Sequence, residues 1–387
     1  MSTGDALYSR AVGVMPGGNT RTTVFVAPHP PYAVSGEGAI VTDSAGHRTI
    51  DCNNNYTALI HGHADPQTLA AAVAAAARGT AFGLPTAHEV EMAELLSART
   101  GLQQWRFCNS GTEAVMMMIR GARAHTGRDL VIRFDGSYHG TYDGVVSAGA
   151  PGVPQSVAEG FIVLPQNDVA ALESAMERTG ARVAAVLLDL MPNRAGLTPV
   201  SDEFAATARR LATEHGALLA IDEVITFRLG EGGLHRRYGL VPDLVSLGKI
   251  IGGGFPVGAL GGRADVLRSF SPLGDGSVAW GGTFSANPVT MAAGVAALRR
   301  FAESDISALN ATGDALRLRL REAGLVVNGS GSLLRLVVRD ADTTWWRLYE
   351  AGVLAGTNGL LALSTAMSAE DVDQVGRRII AAYAAER

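Results

Sequence analysis

Cysteine is nearly absent: Cys52 and Cys108 are the two in 387 residues, and neither belongs to a C-x-x-C pair. That leaves no disulfide framework to build from and suits a reducing cytoplasm. Basic residues are not in excess, with Lys and Arg at 32 against Asp and Glu at 37 for a net charge of -5. No polyanion, whether nucleic acid or an anionic membrane surface, is called for, and the mild acidity serves solubility. The longest apolar run, Leu69–Ala77, is too short to cross a bilayer and reads as an alanine-rich helix. Met1–Arg10 lacks the basic-then-apolar order of a signal peptide. Internal repeats, low-complexity linkers and coiled-coil heptads are also missing.

Several catalytic motifs are approached but not completed. Gly248-Lys249 hints at a phosphate loop, but Asp243 stands where that loop requires glycine. Gly252 and Gly254 are followed by Val257 at the third site of G-x-G-x-x-G. Ser110 has Cys108 and Thr112 where a nucleophile elbow needs glycines. His61 and His63 in "HGHADP" have no further ligands at metal-binding spacing, so a structural role is expected and no metal.

What is present is a chain that is 47% hydrophobic, enough to bury a sizeable core in two or three domains. Between Leu102 and Gly262, short apolar runs alternate with helical stretches. Strands are expected at Trp105–Cys108, Leu130–Phe134, Ala184–Leu188, Ala217–Ile221 and Leu244–Leu247, and helices at Glu113–His125 and Asp202–His215. That alternation predicts a mostly parallel sheet covered on both faces. Residues 32–52 alternate apolar and polar with turn glycines, as hairpin strands do. After about residue 295 come a long helix, short strands and a last helix over Ala369–Glu386. The expected division is a large α/β domain over 61–295 and a small α+β domain assembled from 1–60 and 296–387.

Four segments carry chemistry. Asn109-Ser110-Gly111-Thr112-Glu113 follows a strand and opens a helix, which suits either a phosphate or an ordinary N-cap. Gly136-Ser137-Tyr138-His139-Gly140 sets an aromatic ring on a turn, to stack on a flat cofactor or to lie buried in a loop. The strand that ends at Asp222-Glu223 brings carboxylates to the ligand-binding edge of the sheet. They could face a pyridine nitrogen, bind a metal or cap a helix. Lys249 sits between an apolar strand and three glycines. Desolvation there would free its neutral amine for imine formation, whereas solvent access would leave an ordinary lysine.

In this order the segments, with "MPGGNTRTTVF", "GHADP", "FDGSYHG", "PDLVSLGKIIGGGFPVGALGGRADV" and "GGTFSANPVTMAAG", resemble the class III (ω-type) aminotransferases. These belong to the fold-type I pyridoxal-phosphate (PLP) enzymes. The likeness runs over most of residues 15–297 and is greatest to glutamate-1-semialdehyde 2,1-aminomutase and the β-amino-acid aminotransferases. It implies that Lys249 forms the Schiff base and shuttles protons, that Asp222 pairs with the pyridinium nitrogen, and that Val224 covers one ring face. Tyr138 would stack on the other face with His139 beside it, while Ser110, Gly111 and Thr112 hold the phosphate. Thr283 would reach the phosphate of the neighbouring subunit in a homodimer with shared sites. Arg21 would grip a substrate carboxylate, and Tyr56, with Asn54 and Asn55, would line the substrate pocket.

This chain departs from the pattern in places. Asp189-Leu190 replaces a Glu-Pro common among relatives, which keeps an acid near the cofactor but shortens it. Arg194 adds a charge nearby, and Asn358 stands where similar β-amino-acid enzymes carry an arginine. Ala148–Gly160 resembles the loop that aminomutases close, in compact form. The implied activity is amino transfer from an amino acid or amine to a keto or aldehyde acceptor. An intramolecular aminomutase is the alternative, followed by another carbanion reaction such as a racemase or decarboxylase, and then by a non-catalytic scaffold.

Overall fold

The computed structural model describes residues 3–147, 149–273 and 277–384. Two compact units emerge, one of Met1–Pro66 with Ser307–Arg387 and one of Gln67–Ile306.

The second unit is built on a seven-stranded sheet. Its strands are β1 (Gln104–Cys108), β2 (Leu130–Phe134), β3 (Phe161–Leu164), β4 (Val183–Asp189), β5 (Leu218–Asp222), β6 (Leu244–Gly248) and β7 (Gly258–Gly262). They lie in the order β1-β7-β6-β5-β4-β2-β3. All neighbours are parallel except β7, which runs antiparallel to both β1 and β6. Every residue of β2, β4, β5 and β6 is buried, as continuous apolar runs covered on both faces require.

Helices α1 (Gly111–Thr126), α2 (Val169–Thr179), α3 (Asp202–Glu214) and α4 (Pro288–Arg300) pack in this unit. In α3, Ser201 caps the start by accepting the Phe204 N–H at 3.1 Å. Phe204, Ala208, Leu211 and Ala212 then form the buried stripe, and the Phe204 ring meets Phe134 of β2 edge-on at 5.0 Å. The run Leu69–Ala77 is helical through Ala76, as expected.

Two strands escaped the sequence. β3 is a four-residue edge strand. β7 reads Gly-Ala-Leu-Gly-Gly, with none of the β-branched residues that announce a strand. Its first glycine is forced by contact: a Cβ on Gly258 would stand 2.0 Å from the Ser110 carbonyl oxygen and 2.7 Å from Cys108 Sγ. Gly258→Ala is expected to destabilise the fold by about 1–3 kcal/mol, read from the urea midpoint. An unmoved midpoint would refute this register.

In the first unit, Ala33–Glu37, Ile40–Asp43 and Arg48–Asp51 form an antiparallel meander, joined by Val353–Leu354 parallel to the third strand. A second sheet holds Val327–Ser330, Leu333–Leu336 and Leu360–Ala362. On the helix Ala341–Glu350, Trp345 and Tyr349 stack at 5.0 Å. The last helix runs over Ala369–Ala384, and Glu386 lies outside the described residues. At the amino end, Thr3–Val12 is helical, with Met1 and Ser2 outside the described residues. Among the described residues no helix is long and apolar enough to cross a membrane.

Candidate active site

The parallel strands deliver their chemistry at one edge. β5 ends in Asp222, β4 in Asp189 beside it, and β6 runs directly into Lys249. The loop after β2 brings Tyr138 and His139, and β1 leads into Ser110 and α1. This is the carboxyl edge at which open α/β sheets bind ligands.

Asp222 is buried and its oxygens are divided between partners. Oδ1 accepts from the Ser246 hydroxyl at 3.1 Å and from the Val224 N–H at 3.0 Å, while Oδ2 lies 2.7 Å from His139 Nδ1. A carboxylate accepts, so Nδ1 carries the ring hydrogen. His139 Nε2, 1% exposed with the rest of the ring, then has no hydrogen-bond partner among the described residues. Ser246 was not singled out from the sequence, although a lone hydroxyl within the apolar strand "LVSLG" was the available signal. Glu223, the second acid of the pair, belongs to the scaffold. It accepts from the Thr226 hydroxyl at 2.5 Å and from the N–H groups of Leu234 and His235 at 3.1 and 2.7 Å.

Lys249 adopts a left-handed φ of 52° and is partly buried. Burial pulls its amine below the ordinary lysine range, against the opposing pull of Asp222 and Asp189. Asp189 is pushed up to about 7 by burial first and then by the charge of Asp222. A raised carboxyl pKa means that the folded state keeps a proton the unfolded chain releases near 3.8. Its stabilising form is complete below that value and is lost as pH rises to about 7. Asp189→Asn should therefore gain stability relative to the parent between pH 4 and 7, by at most about 1.4 kcal/mol per pH unit. Denaturation of the cofactor-free proteins across that range checks this, and a constant difference would refute it.

Ser110 caps the helix start. Ser110 Oγ accepts the Glu113 N–H at 3.2 Å and donates to Glu113 Oε2 at 3.1 Å, and Asn109 N–H donates to the same oxygen at 2.8 Å. The cap is real, and it leaves the Gly111 and Thr112 backbone at the positive end of a 16-residue helix. Val224 packs against Gly111. Gly140, at φ 98°, comes so close to Thr112 that a Cβ would stand 2.3 Å from its hydroxyl. Thr112, Tyr138 and His139 are thereby drawn together. Thr283 lies exposed on the turn before α4.

Arg21 and Tyr56 lie in the first unit. Arg21 Nη1 donates to Asn55 Oδ1 at 2.7 Å. The Tyr56 hydroxyl bonds the Thr23 carbonyl and lies 3.1 Å from Thr357 Oγ1. Both side chains line a cavity of about 260 Å³, with Pro30, Trp345, Tyr349 and Leu354 among its walls. Asn54, Asn55, Tyr56 and Thr57 all have positive φ, between 50° and 75°. Asparagine tolerates this, whereas tyrosine and threonine do so at a cost. Asp51 holds the turn by accepting the Asn53 and Asn54 N–H groups at 2.8 Å, and the Asn54 amide donates to the Asp51 and Ala362 carbonyls. His61 and His63 bond the Thr365 hydroxyl and Asp51, each at 2.7 Å.

Residues 26–379 match the family described as class-III aminotransferase. Glutamate-1-semialdehyde 2,1-aminomutase of Thermomicrobium roseum is 43% identical over 314 residues, covering 77% of this chain and 73% of that protein. An ω-transaminase from Sphaerobacter thermophilus superposes with a TM-score of 0.95 at 40% identity, over 98% of this chain and 97% of its own. A structure described as a transaminase with PLP bound gives 0.95 at 38% identity, with the same coverage. The family match over residues 26–379 and the superposition over 98% of the chain agree, and the chain belongs to the class-III aminotransferases, PLP-dependent enzymes of fold-type I.

Proposed function

We propose that this enzyme transfers an amino group between an amino acid or amine and a keto or aldehyde acceptor, with Lys249 as its catalytic residue. The observation that carries the proposal is the Lys249 amine, made easier to deprotonate by burial and set beside the Asp222–His139 pair.

The residues present fit PLP. The backbone N–H groups at the start of α1 suit a phosphate, and Ser110 and Thr112 stand beside them. His139 Nε2 is a buried polar atom awaiting a partner. Val224 and Tyr138 offer two surfaces for a planar ring. When bound, PLP supplies an electron sink and a carrier for the amino group. Asp222, fixed by Ser246, Val224 and His139, holds a proton on the ring nitrogen. Lys249 attaches the cofactor and moves the proton between carbons, since its neutral amine can accept one and return it. Asp189 sits beside Asp222 on the adjacent strand, an acid near the cofactor. Arg21 grips the substrate carboxylate, and Tyr56 lines the substrate pocket.

Residues 149–160 favour intermolecular transfer. The Val153 and Val157 N–H groups bond the Ala150 and Pro154 carbonyls at 3.1 and 3.0 Å, which makes a short turn-bound segment ahead of β3. The loop expected from the sequence begins at Ala148, which lies outside the described residues. The aminomutase reading is kept open by the 43% identity to the Thermomicrobium enzyme. A homodimer is part of the proposal. Leu69, Val73, Phe82, Leu84 and Phe284 expose large apolar side chains in the unit that holds Lys249, and Thr283 adjoins the last of them. Two free, buried thiols support a cytoplasmic location.

The test is a near-ultraviolet and visible spectrum of the purified protein, titrated with amino donors. Conversion of the bound cofactor to its amine form with release of a keto acid supports transfer. A cofactor that no donor discharges moves the mutase ahead, and failure to bind PLP overturns both.

A further inference from the structure

Arg194 differs from several other arginines of its unit. Arg209 and Arg263 are paired with Asp243, and Arg210 with Glu173 and Glu214. Among the described residues, Arg194 has no ion pair and no hydrogen bond from its side chain. Its one contact of note is with Tyr138, where the guanidinium carbon lies 4.2 Å from the ring centroid. A guanidinium over an aromatic face keeps its N–H donors available to a planar anion.

The backbone beneath it forms a hydrogen-bonded turn. Gly196 N–H donates to the Asn193 carbonyl at 3.1 Å and Leu197 N–H to that of Pro192 at 3.0 Å, closing a tight turn after β4. Leu197, fully buried, takes a φ of 55°, a conformation that a branched residue keeps only when its surroundings hold it there. Asn193 is buried while Arg194 itself is exposed. A hydrogen-bonded turn therefore presents an accessible cation over the Tyr138 ring, the ring assigned to the cofactor. It does so at the sheet edge where Asp189, Asp222 and Glu223 would repel a second acid group that found no cation.

We infer that Arg194 determines specificity by anchoring the distal acid group of a substrate that carries two, selecting a dicarboxylic amino acid or keto acid over a monocarboxylic one. This rests on the aminotransferase reading for its substrate class. The anchor is a bidentate guanidinium–carboxylate contact, far stronger in this geometry than a lone ammonium could make.

The experiment is calorimetric titration of the cofactor-loaded protein with glutarate and with pentanoate, matched five-carbon acids with no group to transfer, so that binding alone is read. The parent should prefer glutarate by about tenfold. Arg194→Gln should bring the two affinities together by weakening glutarate, with pentanoate changing by less than about twofold. Arg194→Lys should fall between, since it keeps the charge without the fork. A parent with no preference, or a glutamine variant that loses both acids equally, overturns the inference. If that equal loss comes with a shifted cofactor absorption band, the role of Arg194 is to hold Tyr138. A glutarate preference that persists while no donor discharges the cofactor would instead sink amino transfer and leave the anchor standing.

Discussion

Replacing Lys249 with alanine is expected to lower amino transfer by about 10³-fold or more, since the general acid–base role alone is worth about 10²–10⁴-fold. Lys249→Arg should fail almost as completely, and it is the sharper test. Arginine keeps the positive charge opposite Asp222 and Asp189 but cannot release its proton in the working range. Lysine can, because burial has already weakened its hold on the proton. Turnover by donor and acceptor, with bound cofactor followed by absorption, reads both variants. An arginine enzyme within tenfold of the parent would mean that a fixed charge suffices, and the role given to the neutral amine would be wrong.

The second large effect is expected at Asp222. Asparagine keeps the shape, but its one carbonyl cannot serve both halves of the network. With that oxygen accepting from Ser246 and Val224, the amide NH₂ faces His139 Nδ1, and the imidazole must move its hydrogen to Nε2. Asp222→Asn therefore removes the charge and reverses the histidine tautomer together. Loss of preorganised electrostatic stabilisation of this kind costs about 10²–10³-fold in turnover. Weaker cofactor binding should accompany it in a spectroscopic titration. A variant within threefold of the parent in both readings would remove Asp222 from the mechanism.

Much of this site was legible because its signals are local. A lysine between an apolar strand and glycines, two acids ending a buried strand and a Ser-Gly-Thr helix start each follow from neighbours in sequence. The strands over Leu130–Phe134 and Leu244–Leu247 were legible for the same reason, as short apolar runs bounded by turns. Reading failed where the cause is distant. β7 is a strand because β1 and β6 accept it on either side, although its own residues argue against it. The Asn54–Thr57 turn depends on Asp51 and on the Ala362 carbonyl, and nothing in Tyr56 or Thr57 announces a left-handed backbone. Arg194 reads as an added charge near the cofactor, and only the fold brings Tyr138 beneath it. Ser110 was ambiguous in sequence because one residue can both cap a helix and stand beside a phosphate.

The place of β7 also sets an order in time. Among the described residues, β1 is an edge strand whose only neighbour in the sheet is β7, made much later in the chain. On a ribosome, β2, β4, β5 and β6 can pair as they emerge, whereas β1 and the helix start behind Ser110 must wait for Gly258–Gly262. Closing so distant a pair is slow, and until it happens β6 presents an open edge to other nascent chains. The strand with the least sequence signature is thus the one whose arrival ends the most vulnerable interval in the protein's synthesis.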